Sequence, residues 1–256
     1  MKNMPKRKRR YNQGSITYEP DRNKYRAAIT INGNRYRKRF DSEAAANDWI
    51  AHQKVAESDG NFIVPTKLTV GEWLLDFLRT YKKPVLKPRT YERYLQTLHH
   101  IIPINNTPIQ NLNALQVQNL YNSLTPNAAK KVHVLLHSAF QQAVDLDMLR
   151  KNIIHLVKPP KIVQKEPEIF NKKEIHKLLQ TCLKSKRLAK YYPIFLIATE
   201  TGMRRGEILG LRWKDIDLKK GTIYICQQLQ QLSSSKIIFE TPKTKAGHRK
   251  ISITPN

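Results

Sequence analysis

The chain has 256 residues, 40% of them hydrophobic, with 46 Lys+Arg against 20 Asp+Glu and a formal net charge of +26. That is room for two or three modest domains with real cores, which excludes global disorder. No apolar run reaches the ~18 residues of a membrane span, and the basic N-terminus is not followed by the apolar segment of a signal peptide.

Cys182 and Cys226 are far apart and stand in no metal-ligand spacing, so neither a disulfide framework nor a zinc site is indicated. Cytoplasmic residence is the expectation. The positive charge is spread along the chain: 14 basic and 7 acidic residues in 1–60, 12 and 5 in 61–160, 20 and 8 in 161–256. An even excess implies that every part meets the same polyanion, with binding dominated by phosphate neutralisation and steep in salt. Charge alone does not separate DNA from RNA or acidic lipid.

Residues 1–13 form a basic arm around Lys6-Arg-Lys-Arg-Arg10, which is a solvated tail, a nuclear address or an arm that tracks phosphates or a minor groove. Strands are predicted over 15–19, 24–31 and 35–40, with a turn at 20–23 and a hairpin signal at Asn32-Gly33. Tyr25, Ala27, Ile29 and Ile31 alternate onto one face. The opposite face carries Arg26, Arg35, Arg37 and Arg39. A three-stranded sheet with one arginine face has the size of a DNA major groove; a plain solvated face is the bland alternative. Asp41 or Ser42 caps a helix to about residue 57, whose stripe is Ala45, Trp49 and Ile50.

After a linker at 59–65, Thr69 and Glu72 form a capping box, with Leu68 and Trp73 in staple positions. Tyr91, Tyr94, Leu95, Leu98, Ile101 and Ile102 recur at helical spacing, as do Leu112, Leu115, Leu120, Tyr121 and Leu124. A long helix over about 127–146 carries Val132, Leu135, Leu136, Phe140 and Val144. The result is an all-helical bundle of about ninety residues. Lys82, Lys83, Lys87, Arg89 and Arg93 cluster near the start of its second helix, where phosphates are readily held.

Pro159-Pro160-Lys161 marks the next boundary. Asn171 with Glu174 opens a further helix, with Phe170 and Ile175 in staple positions. An apolar helix over 192–199, Gly202, a short helix to 211 and strands over 222–226, 237–239 and 249–253 follow. The last two strands are joined by a turn, residues 241–248. The fold class is therefore α+β and multidomain, divided at 1–60, 66–160 and 166–256.

Arg204 falls at the start of the short helix, where the helix end favours anions, and Glu207 lies on the same face to fix its guanidinium. A preorganised arginine suits a phosphoryl transition state, but a surface Arg–Glu pair has the same spacing. Lys243, in the turn, is either an exposed lysine or a point charge reaching a phosphate.

The stretch Thr201-Gly-Met-Arg-Arg-Gly-Glu-Ile-Leu-Gly-Leu-Arg-Trp213 resembles the first catalytic-arginine motif of tyrosine recombinases of the phage-integrase kind. Thr241-Pro-Lys-Thr-Lys-Ala-Gly-His-Arg249 resembles their lysine-bearing hairpin, and the two preceding units resemble their arm-binding sheet and core-binding bundle. The resemblance implies that Arg204 is the first catalytic arginine, Glu207 its supporting acid and Lys243 the general acid for the 5′-oxygen. It implies site-specific DNA integration through a 3′-phosphotyrosine, with no ATP, metal or other cofactor. The implied partners are duplex DNA at arm-type and core-type sites, sister protomers and a DNA-bending accessory protein, on the nucleoid of a bacterial host.

This sequence departs from the family pattern after Arg249. The His-x-x-Arg motif, a further His or Trp and the nucleophilic tyrosine are not in it, and Tyr224 precedes the hairpin. The catalytic domain is expected to be incomplete, so the chain is either a fragment of an integrase or a non-catalytic DNA-binding regulator derived from one.

Overall fold

In the computed structural model, which describes residues 14–60, 62–163, 166–233, 235–242 and 244–253, hydrophobic side chains gather into three separate clusters. The basic run 6–10 and Lys243 lie outside the described residues.

The first cluster sits under an antiparallel sheet of β1 (Ser15–Glu19), β2 (Lys24–Ile31) and β3 (Asn34–Phe40), in that order. Asn32 (φ 48°) and Gly33 (φ 78°) make the β2–β3 turn with two positive φ values, the geometry whose twist matches the flanking strands. Ile16, Tyr25, Ala27, Ile29, Ile31, Tyr36 and Phe40 meet Ala46, Trp49 and Ile50 of α1 (Glu43–Ser58). Ser42 caps that helix, its Oγ accepting from the Ala45 N–H at 3.2 Å.

The second cluster is a helical bundle. α2 (Val70–Phe77) starts in the expected capping box, Thr69 with Glu72. Then come α3 (Pro88–Thr97), α4 (Ala114–Asn122) and α5 (Pro126–Asp145). The Trp73 indole N–H donates to the Ala139 carbonyl at 2.9 Å, tying α2 to the middle of α5. Two predicted core residues are outside. Past Thr97 the chain tightens into a 3₁₀ segment, Leu98–Ile104, containing Pro103. Three residues per turn put Ile101 and Ile104 inward and leave Ile102 exposed. In α4 the inward phase is Val117, Leu120 and Tyr121, so Leu115 faces out.

A row of rings links α4, α5 and the segment that follows α5. The Tyr121 hydroxyl lies 3.2 Å from His133 Nδ1, and His133, His137 and His155 follow at centroid spacings of 5.9 and 4.7 Å. Burial, then the nearness of His137 and His155, lowers the pKa of His133. A base with a depressed folded pKa binds fewer protons folded than unfolded, so stability is lost as pH falls through the ordinary histidine range near 6.5. Thermal melts should show the bundle losing stability between pH 7.5 and 5.5, and His133→Gln should flatten that slope.

The third cluster joins α7 (Tyr192–Thr201), α8 (Arg205–Leu209) and a sheet of β4 (Ile216–Asp217), β5 (Thr222–Ile225) and β8 (Arg249–Ser252). α6 (Lys172–Lys184) precedes them, opened by Asn171 and Glu174 as expected; Phe170 stays exposed, so that staple does not close. β6 (Gln228–Gln231) and β7 (Ile237–Glu240) form a separate hairpin. This corrects the expected pairing of the last two strands. Ile223 and Ile225 alternate inward and stand opposite Ile251 and Arg249 of β8, so β8 completes the core sheet, and residues 241–248 connect two different sheets. β6 was not foreseen, because its Gln-Leu-Gln-Gln run carries no apolar alternation.

Candidate functional site

The stretch 201–213 is built so that one arginine is presented and its neighbours are fixed. α7 stops at Gly202 in the left-handed region (φ 63°), whose N–H donates to the Ala198 carbonyl at 3.0 Å. Met203 then buries itself in the core, and Arg204 is extended at the N-cap of α8.

Glu207, on the first turn of α8, is 4% exposed. Its Oε1 accepts from Arg204 Nη1 at 3.0 Å and from Arg249 Nη1 at 3.1 Å. Its Oε2 accepts from the Arg204 backbone N–H at 2.9 Å and from Arg249 Nη2 at 2.8 Å. Four donors fill the acceptor capacity of one carboxylate. Burial alone would raise the Glu207 pKa, but the Arg249 and Arg204 hydrogen bonds outweigh it and hold the carboxyl below its ordinary value. The Arg204 side chain is 75% exposed, so its remaining guanidinium donors face outward.

The two glycines of α8's Gly-x-x-x-Gly spacing bring β6 close. A Cβ on Gly206 would stand 3.0 Å from the Leu229 carbonyl oxygen; one on Gly210 would stand 2.8 Å from the Leu229 nitrogen and 2.9 Å from Gln228 Cα. Gly210→Ala has only backbone to displace. It should cost about 1–3 kcal/mol of stability, the usual range for overpacking, with Gly206→Ala milder; denaturant melts of both variants check the order. Beyond Gly210, Arg212 clasps Asp215 at 2.6 and 3.0 Å, and this clasp lowers the Asp215 pKa.

The other predicted site residues fall on two surfaces. In the N-terminal sheet Arg26 stands opposite Arg39, Ala28 opposite Arg37 and Thr30 opposite Arg35, so all four arginines share the face away from α1. Glu19 joins two of them, at 2.9 Å from Arg26 and 2.6 Å from Arg39. In the bundle, Arg89 and Arg93 line a groove of about 720 Å³ with His100 and, from α5, Asn127, Lys130 and Lys131. Lys82 instead stacks on the Phe77 ring at 5.0 Å. Lys87 reaches across to the β6–β7 hairpin, pairing with Glu240 at 3.1 Å and donating to the Thr241 carbonyl at 3.0 Å. Arg89 Nη1 donates to the Gln231 carbonyl at 3.1 Å, and Glu92 accepts from the Ser233 N–H at 3.0 Å. The start of α3 is thus fastened to the hairpin that packs on α8.

Sequence reasoning missed Arg249, Lys130 and Lys131. The signal for Arg249 was present: it shares the inward phase of β8 with Ile251, and an arginine in that phase needs a buried acid. Lys130 and Lys131 sit in an otherwise ordinary helix, and only the packing of α5 beside α3 joins them to Arg89.

A model of the phage integrase family matches residues 168–254, and a model of the phage integrase N-terminal SAM-like domain matches residues 69–125. Between them they match more than half of the chain. The chain belongs to the phage integrase family. The integrase relatives include a tyrosine recombinase XerC-like protein of Caldanaerobacter subterraneus subsp. tengcongensis, 28% identical over 262 residues that cover 90% of this chain and 65% of that protein. The ICEBs1 integrase of Bacillus subtilis is 28% identical over 130 residues, 51% of this chain and 34% of that protein. The chain thus spans less than two thirds of either relative. The Tn1549 transposon integrase in complex with a circular intermediate DNA shares the fold with a TM-score of 0.63 at 21% identity, covering 73% of this chain and 61% of that one. A lambda integrase dimer bound to a COC′ core site does so with a TM-score of 0.54 at 17% identity, over 91% and 67%.

Proposed function

We propose that this chain holds duplex DNA for site-specific recombination and supplies the first catalytic arginine, Arg204, of a tyrosine recombinase. The observation that carries the reading is the Glu207 carboxylate. It is saturated by two arginines and leaves one of them, Arg204, with donors turned to solvent. Such a guanidinium is oriented before any ligand arrives, which suits the non-bridging oxygens of a phosphodiester whose charge builds in the transition state.

In this reading the arginine face of the N-terminal sheet binds arm-type sites. The α3–α5 groove holds core-site phosphates, with Arg89, Arg93, Lys130 and Lys131 as its positive lining. Lys83 is assigned to the same DNA contact; Lys82 and Lys87 are secondary contributors, because the single ammonium of each is engaged within the protein, whereas Arg89 gives only one of its nitrogens to Gln231. Lys243 is assigned the proton donor to the leaving 5′-oxygen. Sister protomers and a DNA-bending protein complete the assembly on the nucleoid of a bacterial host. Residues 1–60, 66–160 and 166–256 are the arm-binding, core-binding and catalytic units.

Relatives named as recombinases, an integrase and a transposase support the reaction class. The test is a nicked suicide duplex spanning the junctions of the element that carries the gene, offered to the protein from its complete reading frame. A covalent protein–DNA adduct that Arg204→Ala abolishes is the expected result. A gel shift with no adduct from the complete protein would instead support a non-catalytic regulator.

A further inference from the structure

Arg249 lies 42 residues from Glu207 in the sequence and on a different element, yet it makes the larger share of that carboxylate's side-chain contacts. Its guanidinium meets both oxygens, at 3.1 and 2.8 Å, in the parallel fork that an arginine and a carboxylate form when neither can rotate away. Arg204 meets the same carboxylate with one side-chain nitrogen. The two arginines differ in exposure as well, 31% for Arg249 and 75% for Arg204. One arginine is therefore an internal brace and the other is presented.

Without Arg249, Glu207 would keep its bond to the Arg204 backbone but lose two of the four donors that restrain its terminal torsion, which is otherwise broad and soft. The single bond to Arg204 Nη1 would then hold the guanidinium less tightly in one direction. The brace also links distant parts of the fold. β8 carries Arg249 and closes the core sheet against β5, and residues 241–248 lead into it. Correct closure of β8 is thereby reported at the presented arginine.

We propose that Arg249 is a positioning residue, which orients Arg204 toward a DNA phosphate by locking the Glu207 carboxylate between the two guanidinium groups. This rests on the reading of Arg204 as a phosphate ligand. It adds that the alignment of Arg204 comes from β8 and not from α8 alone.

Two readouts on the 256-residue chain separate the two claims. The first is the mobility of the Arg204 guanidinium in the free protein, from ¹⁵Nε relaxation. Wild type should show an ordered Arg204, and Arg249→Lys should drop its order parameter below about 0.6, the flexible range. Lysine keeps the positive charge but not the fork, so a charge effect alone would leave Arg204 ordered. Arg249→Gln should give the same loss, and thermal melts of both variants establish that they are folded. An Arg204 that stays ordered in a folded Arg249→Lys protein overturns the proposal.

The second readout is affinity for a 30-base-pair duplex in a salt series, for Arg204→Ala, Arg249→Lys and the double variant. If Arg249 acts through Arg204, each single variant weakens binding several-fold and the double variant is no weaker than Arg204→Ala. Losses that multiply would mean that Arg249 touches DNA itself, and would overturn the proposal. Should Arg204→Ala bind as wild type does, the phosphate-ligand reading fails, while the relaxation result still decides whether Arg249 orders Arg204.

Discussion

Glu207→Ala is expected to destabilise the third cluster by about 3 kcal/mol, the low end for removing one partner of a buried charge pair. The loss comes mainly from Arg249. That guanidinium is only 31% exposed and loses both of its hydrogen bonds to a charged acceptor, each worth roughly 1.5–3 kcal/mol before rehydration. Arg204 contributes little to the stability change, because its side chain is 75% exposed and water replaces its partner. Denaturant melts followed by far-ultraviolet circular dichroism would report the change. A loss below about 1 kcal/mol would show that Arg249 is rehydrated at almost no cost and that the carboxylate is no keystone.

Glu207→Gln gives the same prediction a pH axis. The folded pKa of Glu207 lies below its ordinary value. A carboxylate of this kind stabilises the fold fully above the ordinary range near 4.5, and the contribution is lost as pH falls through the folded pKa. The stability gap between wild type and Glu207→Gln should thus be flat above about pH 5.5 and shrink below it. A gap that persists unchanged at pH 3 would assign it to shape and not to charge.

What could be read from the sequence depended on whether the information was local. The capping boxes at Thr69–Glu72 and Asn171–Glu174, the Asn32–Gly33 turn and the alternation of β2 each reside within a few residues, and each is in the structure as expected. Ile102 was misplaced because Pro103 sits in a segment that winds at three residues per turn, and the helical period no longer applied. The partner of β8 was misassigned because strand pairing is a long-range choice. β7 is nearer in sequence, but Ile223 and Ile225 of β5 need an apolar neighbour and β8 supplies it. The Arg204–Glu207 pair was visible as a spacing of three. That it is one half of a four-donor carboxylate was not, because the other half comes from 42 residues away.

The arginine face of the N-terminal sheet carries the prediction with the largest effect on binding. Arg35→Ala, Arg37→Ala and Arg39→Ala together should weaken binding to arm-site duplex roughly hundredfold, about 1 kcal/mol for each solvent-exposed ion pair lost, the upper end for such pairs. The slope of log affinity against log salt should fall by close to 3, since each phosphate neutralised contributes about 0.9. Core-site binding should be unchanged, because the contact proposed for it is the groove between α3 and α5.

The structure also divides the three. Arg35 and Arg37 make no ion pair among the described residues, whereas Arg39 shares Glu19 with Arg26. Arg39→Ala alone should therefore cost less than either of the others, because Arg39 must surrender a bond to Glu19 before it can hold a phosphate. Glu19→Gln should change affinity in the opposite direction. It removes the acid that pairs with Arg26 and Arg39 among the described residues, adds a unit of positive charge to the face, and should tighten arm-site binding several-fold at low salt. Weaker binding by Glu19→Gln would mean that Glu19 aligns the two arginines for DNA, and the face would then work as a fixed array and not as a pool of free charge.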